Sequence, residues 1–213
     1  MKRAGGFTII ELIVAMTLTA MLLAMLSAGL YGVVKDWQRE GNGLDATLDK
    51  ALVVLQLDRA LQAAFPHSYV DTEKLSRNVY FEGDEHKLSF ISTVSPQRQS
   101  GLTAWQLTTD DKHGLELKQT PAFSDNPDAR LEKLQAVALL PNYTAEWQFL
   151  FQKDQDTKVW VKEWTGKDRQ SLPIAVQLIF TPKDQKKGDE VLTIVAPIRN
   201  WRNPEIQPVI PKS

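Results

Sequence analysis

The sequence contains no cysteine. That excludes thiol catalysis, Cys-ligated zinc, iron–sulfur clusters and any disulfide. It does not fix a compartment, because a chain of 213 residues buries a core without covalent staples. An excess of either charge is also missing: 25 Lys and Arg against 26 Asp and Glu leave a net charge of −1. No basic stripe marks a nucleic-acid surface, and the six tryptophans are scattered through strand-like segments rather than interleaved with cations. Histidine is scarce: His67, His86 and His113 lie in no H-E-x-x-H, and neither a G-x-S-x-G elbow nor a glycine-rich phosphate loop occurs. All three are expected as solvated loop residues. Disorder is excluded by an apolar content of 43%.

The apolar content is concentrated. Residues 7–34 read FTIIELIVAMTLTAMLLAMLSAGLYGVV, with Glu11 as the one charge. As a helix this run spans about 42 Å, against roughly 30 Å of bilayer hydrocarbon. Lys2 and Arg3 precede it, which places the N-terminus in the cytoplasm and everything after residue 35 across the membrane. The run is too long for an ordinary secretory signal, and no A-x-A cut site follows it. A plain uncleaved anchor explains the length and the flanking charge, but leaves Glu11 without a partner inside an apolar segment.

Gly5-Gly6-Phe7-Thr8-Ile9-Ile10-Glu11-Leu12 resembles the processing site of type IV prepilins and pseudopilins. The resemblance implies cleavage by a prepilin peptidase between Gly6 and Phe7, and N-methylation of Phe7. It also implies that Glu11, then the fifth residue, pairs with the N-terminal amine of a neighbouring subunit during assembly. A paired charge is less costly in the membrane than a lone one. Loss of Lys2 and Arg3 with the leader takes the side-chain charge from −1 to −3. Major pilins commonly carry a proline in the membrane helix; here the first proline is Pro66.

Helical character continues beyond the anchor. Leu44, Leu48, Leu52 and Leu55, and Val54, Leu57 and Leu61, recur at three- and four-residue steps. The helix is expected to end at Phe65, before Pro66. Gly41-Asn42-Gly43 either kinks it or is tolerated within it. Beyond residue 70 the period becomes two. Tyr143, Ala145, Trp147, Phe149 and Phe151 alternate with polar residues, as do Ile174, Val176, Leu178 and Phe180. Shorter strands are expected at 78–82, 87–93, 102–109, 115–119, 158–164 and 190–196. Polar turns between them argue antiparallel hairpins. Eight strands after one helix give an α+β fold, with the soluble half of the helix packed on a sheet. LEKLQAVALL (131–140) is open between helix and strand. Trp160 and Trp164 are expected on one strand face, with the core as their destination. The end, with prolines at 197, 204, 208 and 211, is expected to be extended and either mobile or laid against a neighbour. The acidic loops at Asp110-Asp111, Asp125 with Asp128, and Asp154 with Asp156 match no calcium-loop pattern and read as solvated tips, with no metal or cofactor expected.

Two downstream runs extend the resemblance. Phe81 to Pro96, and Trp147 through Trp160 and Trp164 to Leu172-Pro173-Ile174-Ala175-Val176-Gln177-Leu178, look like the J-type minor pseudopilin of type II secretion. Glu11 fits J over the K-type, which usually lacks that glutamate. The resemblance implies a non-enzymatic subunit with a long N-terminal membrane and spine helix followed by two antiparallel β-sheets. It implies a tip complex with I-type and K-type pseudopilins, with the H-type and the major pseudopilin as further partners. It places the chain in the bacterial inner membrane with its C-terminal domain periplasmic. The expected organisation is a leader at 1–6, a transmembrane helix at 7–34, its soluble part at 35–65, a β-rich domain at 66–196 and a tail at 197–213. Two alternatives remain: a minor pilin of a type IV pilus or DNA-uptake machine, and a membrane-anchored periplasmic enzyme or chaperone.

Overall fold

The computed structural model describes residues 8–71, 76–95, 101–154, 157–184 and 190–202, without the side chains of 33, 34, 36–46 and 71. The chain divides into two compact units, 1–49 and 50–213. A single helix, α1 (Ile9–Gln62), contributes to both. In the first unit it is apolar from Ile9 to Gly32, with none of those residues buried against the rest of the chain. Its backbone stays helical across Gly41-Asn42-Gly43, so the two glycines do not break it, at about 1 kcal/mol each relative to alanine.

The second unit follows α1 with short elements. They are β1 (Ser68–Asp71), β2 (Ser76–Val79), β3 (Phe81–Gly83), β4 (Lys87–Ser92), β5 (Thr103–Asp110) and β6 (Gly114–Pro121). Then come α2 (Asp128–Leu131), β7 (Val137–Leu140), β8 (Tyr143–Gln152), β9 (Lys158–Val161), β10 (Trp164–Thr165), α3 (Gly166–Arg169), β11 (Ala175–Pro182) and β12 (Leu192–Pro197). Every pairing is antiparallel. The six-stranded sheet runs β10-β3-β4-β5-β6-β7, the four-stranded sheet β12-β11-β8-β9, and β1-β2 form a separate ribbon. This is an α+β architecture of a long apolar helix followed by antiparallel sheets.

The main core lies where the two larger sheets and the end of α1 meet. Leu57, Ala60 and Leu61 pack with Phe81, Phe90 and Trp105 from the large sheet and Phe149, Val176 and Phe180 from the smaller one. Phe90 stacks on Trp105, its register partner, at 5.9 Å between ring centroids, and Phe81 meets Phe149 edge-on at 5.8 Å. Such pairs add about 0.5–1.5 kcal/mol each beyond the area they bury. Gly83 exists to admit this packing, since a Cβ there would overlap the Phe149 ring. A second cluster of Tyr69, Tyr80, Ile91, Ala104 and Leu131 is built largely on β1, β4, β5 and α2. Ile91 and Ala104 belong to strands whose Phe90 and Trp105 serve the first cluster, so the centre of the large sheet is buried on both faces.

Several expectations are corrected. The helix ends at Gln62, not Phe65, because β4 captures the residues that follow. Phe65 N–H donates to the Ile91 carbonyl at 2.8 Å, and Ser92 Oγ donates to the Ala60 carbonyl at 2.8 Å. Twelve strands occur among the described residues instead of eight. The stretch 158–164 is two strands in different sheets, β9 and β10, so Trp160 and Trp164 share no face. Trp164 is buried at 2% exposure, with its indole N–H on the Ser171 carbonyl, whereas Trp160 is 40% exposed. The stretch 78–82 likewise divides into β2 and β3. Residues 131–140 end α2 and then form β7. The start of the tail lies on the domain: Ile198 N–H donates to Ile174, Leu172 N–H to Trp201, and Ser171 pairs with Arg202. Residues 203–213 lie outside the described residues.

Candidate assembly site at the start of the apolar helix

Gly6 and Phe7 lie outside the described residues; Thr8 and Glu11 are within them. Thr8 precedes the first helical residue and Glu11 is three positions on, the T-x-x-E spacing of a capping box. The geometry is reciprocal. Thr8 N–H and Thr8 Oγ1 both donate to Glu11 Oε2 at 3.1 Å, and Glu11 N–H approaches Thr8 Oγ1 at 3.4 Å. These bonds serve backbone donors that every helix N-terminus leaves unpaired, and a carboxylate there also favours the helix dipole. Thr8 was legible as a cap from spacing alone, yet the resemblance directs attention to Glu11 and not to it.

Glu11 Oε2 is thus engaged within its own chain, while Oε1 has no partner among the described residues. An ionised carboxylate offers about four lone-pair sites, so the cap leaves room for a cation. On the same helix Thr17 Oγ1 donates to Val14 at 2.9 Å and Thr19 Oγ1 to Ala15 at 2.8 Å. Both hydroxyls are therefore satisfied inside the apolar segment, whereas Glu11 retains capacity. Ala15 and Thr19 follow it at four-residue steps on one face.

The histidines and acidic loops outside this site are held in local structure. His86 is exposed in the turn before β4, where the Asp84 carboxylate accepts from the backbone N–H groups of His86 and Lys87. His113 Nδ1 lies 2.8 Å from Asp110 Oδ2 at the exposed β5–β6 turn. That contact raises the His113 pKa and lowers Asp110 to about 2. His67 departs from the expected solvated loop. It is half-buried, its Nε2 is buried without a partner among the described residues, and burial lowers its pKa. Asp125 pairs with Arg130, and Asp128 accepts the Tyr80 hydroxyl at 2.6 Å, so neither is a free hairpin tip. The Asp154 carboxylate accepts from Thr157 N–H at 2.7 Å; Asp156 lies outside the described residues. Among the described residues no three His, Asp or Glu side chains converge to hold a metal.

Among known families the chain matches the prokaryotic N-terminal methylation motif over residues 1–27. No curated protein matches the chain. The matched segment contains Gly6, Phe7, Thr8 and Glu11, so the N-terminus is type IV pilin-like. The helix that follows is long and apolar enough to act as a single membrane anchor.

Proposed function

We propose that the chain is a J-type minor pseudopilin of a type II secretion apparatus, a structural subunit rather than an enzyme. Residues 1–6 are its leader, removed by the prepilin peptidase between Gly6 and Phe7, with Phe7 then N-methylated. Residues 7–34 hold it in the inner membrane, with its N-terminus cytoplasmic and its β domain periplasmic. Residues 35–65 continue the helix, 66–196 form the partner-choosing domain and 197–213 its tail. I-type and K-type pseudopilins are its partners in the tip complex, with the H-type and the major pseudopilin next to it.

The observation that carries the reading is Glu11 at the head of an apolar helix, half-satisfied by Thr8 and with Oε1 unengaged among the described residues. The amine of a neighbouring mature chain fits that vacancy in charge and hydrogen bonding, and pairing lowers the cost of both charges in the membrane. Ala20, Ala24, Ala28 and Gly32, at four-residue steps, offer a small-residue face for close helix packing. Leu52 and Leu55 expose a second apolar face further along α1.

The test is crosslinking of the full-length protein in its native membrane, with the partners and the mature mass read by mass spectrometry. I-type and K-type pseudopilins, and a chain beginning at methylated Phe7, are the expected result. Recovery of a major pilin with its own minor pilins would transfer the protein to a pilus or DNA-uptake machine. An intact leader with no pilin-like neighbour would defeat the assembly reading. Gly6→Leu is expected to leave the leader attached; a normal mature mass in that variant would refute the cut site.

A further inference from the structure

One end of the β domain carries two guanidinium groups laid on aromatic rings. Arg169, the last residue of α3, lies 4.2 Å from the ring centroid of Phe151 and 4.6 Å from that of Trp164. Arg202 lies 4.4 Å over the ring of Trp201. A short backbone ladder joins them: Ser171 pairs with Arg202, and Leu172 N–H donates to the Trp201 carbonyl at 2.9 Å. Neither guanidinium makes an ion pair or hydrogen bond among the described residues. Lys167, two residues before Arg169, is by contrast occupied by Glu82 at 3.9 Å. Asp168, exposed beside Arg169, contributes an electrostatic field without an ion pair.

Contact with both the Phe151 and the Trp164 rings, which meet edge-on, restrains the Arg169 guanidinium, and its N–H groups have no acceptor among the described residues. Five donors in a rigid fork match a planar carboxylate with two parallel bonds. The group is half-buried, and burial lowers its pKa, so an unpaired positive charge is disfavoured there. A carboxylate that docked would offset that penalty by pairing and would meet a side chain already restrained by its rings. A polyanion fits less well, because nucleic acid needs a row of cations along its phosphates. Here two guanidiniums stand with the exposed carboxylates of Glu163 and Asp168 close in sequence.

We propose that Arg169, supported by Arg202, receives an acidic segment of a neighbouring protein subunit, with one Asp or Glu seated bidentately on Arg169. The inference rests on the assembly reading for the neighbour being a fellow subunit, and adds the face and the chemistry by which the β domain holds it.

The experiment places p-benzoylphenylalanine at Asp168 of the full-length chain in its native membrane and maps the photo-crosslinks. The expected adduct is a peptide of another chain containing Asp or Glu. Arg169→Glu is expected to lower its yield about tenfold, as loss of one member of a partly desolvated charge pair predicts. Reversing the partner's carboxylate to arginine should restore the yield in Arg169→Glu, which also shows that the variant folds. Arg169→Lys keeps the charge without the fork and should fall between. Crosslinks confined to residues 203–213 of the same chain would overturn the proposal. Adducts with lipid alone, or a yield indifferent to Arg169→Glu, would do the same. A second probe at Leu52 separates the two readings. If its crosslinks to a neighbour persist while those from Asp168 fail, only the Arg169 inference falls; if both fail, the assembly reading falls as well.

Discussion

Glu11 caps the helix through Oε2, which serves Thr8, while Oε1 has no partner among the described residues and stays available for the proposed pairing with a neighbouring amine. The two roles separate in Glu11→Gln. A glutamine carbonyl still accepts from Thr8, so the cap survives, whereas the charge that would hold an amine is gone. We expect the variant to be inserted and processed normally but absent from assembled fibres; its incorporation at wild-type level would show that the cap is the whole role of Glu11. Glu11 was legible in the sequence as the one charge in an apolar run and through the prepilin resemblance, whereas the cap that Thr8 makes was not read, although the three-residue spacing carries it. His67 was not legible, because its surroundings come from the loop carrying Phe123 and Asp125, remote in sequence. The consequence is a pair of histidines that titrate on opposite sides of 6.5. Asp110 raises His113, so that contribution to stability is complete below 6.5 and lost as pH rises through the folded value. Asp110 itself is depressed from 3.8 to about 2, so its contribution holds above 3.8 and is lost as pH falls through about 2. Burial lowers His67, so the unfolded chain takes up its proton first and stability declines as pH falls below 6.5. An NMR titration should place the His113 midpoint above 6.5 and that of His67 below it. Asp110→Asn should bring His113 back toward 6.5; an unchanged His113 midpoint in that variant would remove Asp110 as the cause.

The C-terminal end of α1 carries two apolar stripes, and three- and four-residue periodicity alone could not say which faces the core. Leu57 and Leu61 are buried among the sheets, whereas Leu52 and Leu55 are exposed. Leu57→Ala is therefore expected to lower stability by about 2–5 kcal/mol, through lost burial and a cavity. Leu55→Ala should stay within about 0.5 kcal/mol, as surface changes do, while weakening crosslinks from Leu52 to neighbouring helices. Denaturant midpoints of the detergent-solubilised chain check the first pair of values; equal losses for both would mean that the two stripes are equally buried. Strand legibility followed a similar rule. β8 alternates cleanly, with Tyr143, Ala145, Trp147 and Phe149 buried, and was readable from period two. β1 and β7 were not, since each has four residues and too few turns of the pattern to register. The switch from β9 to β10 was hidden because Lys162 and Glu163 look like any polar pair within a strand, although the chain changes sheets there.

The β domain should be most resistant at its centre and most open at its edges. β4 and β5 lie in the middle of the six-stranded sheet, and their side chains feed both hydrophobic clusters. Their amides are bonded to neighbours on either side, and opening them requires both clusters to break. β9 and β12 each pair on one side only, with Trp160, Val191 and Val195 exposed on or beside them. Local opening of such edges costs less than global unfolding, and amide exchange reports that cost. Hydrogen exchange on the full-length protein is therefore expected to be slowest in Lys87–Ser92 and Thr103–Asp110, and faster in Lys158–Val161 and Leu192–Pro197. Equal protection across all four strands would contradict a two-faced centre with open edges. The same measurement made in the assembled state bears on where neighbours sit. If a partner docks at Arg169, protection should rise around α3 and the Ser171–Arg202 bridge while β4 and β5, already closed, stay as they were. A rise confined to the edges of β9 or β12 would instead point to strand addition as the mode of contact, and would move the partner surface away from the stacked arginines.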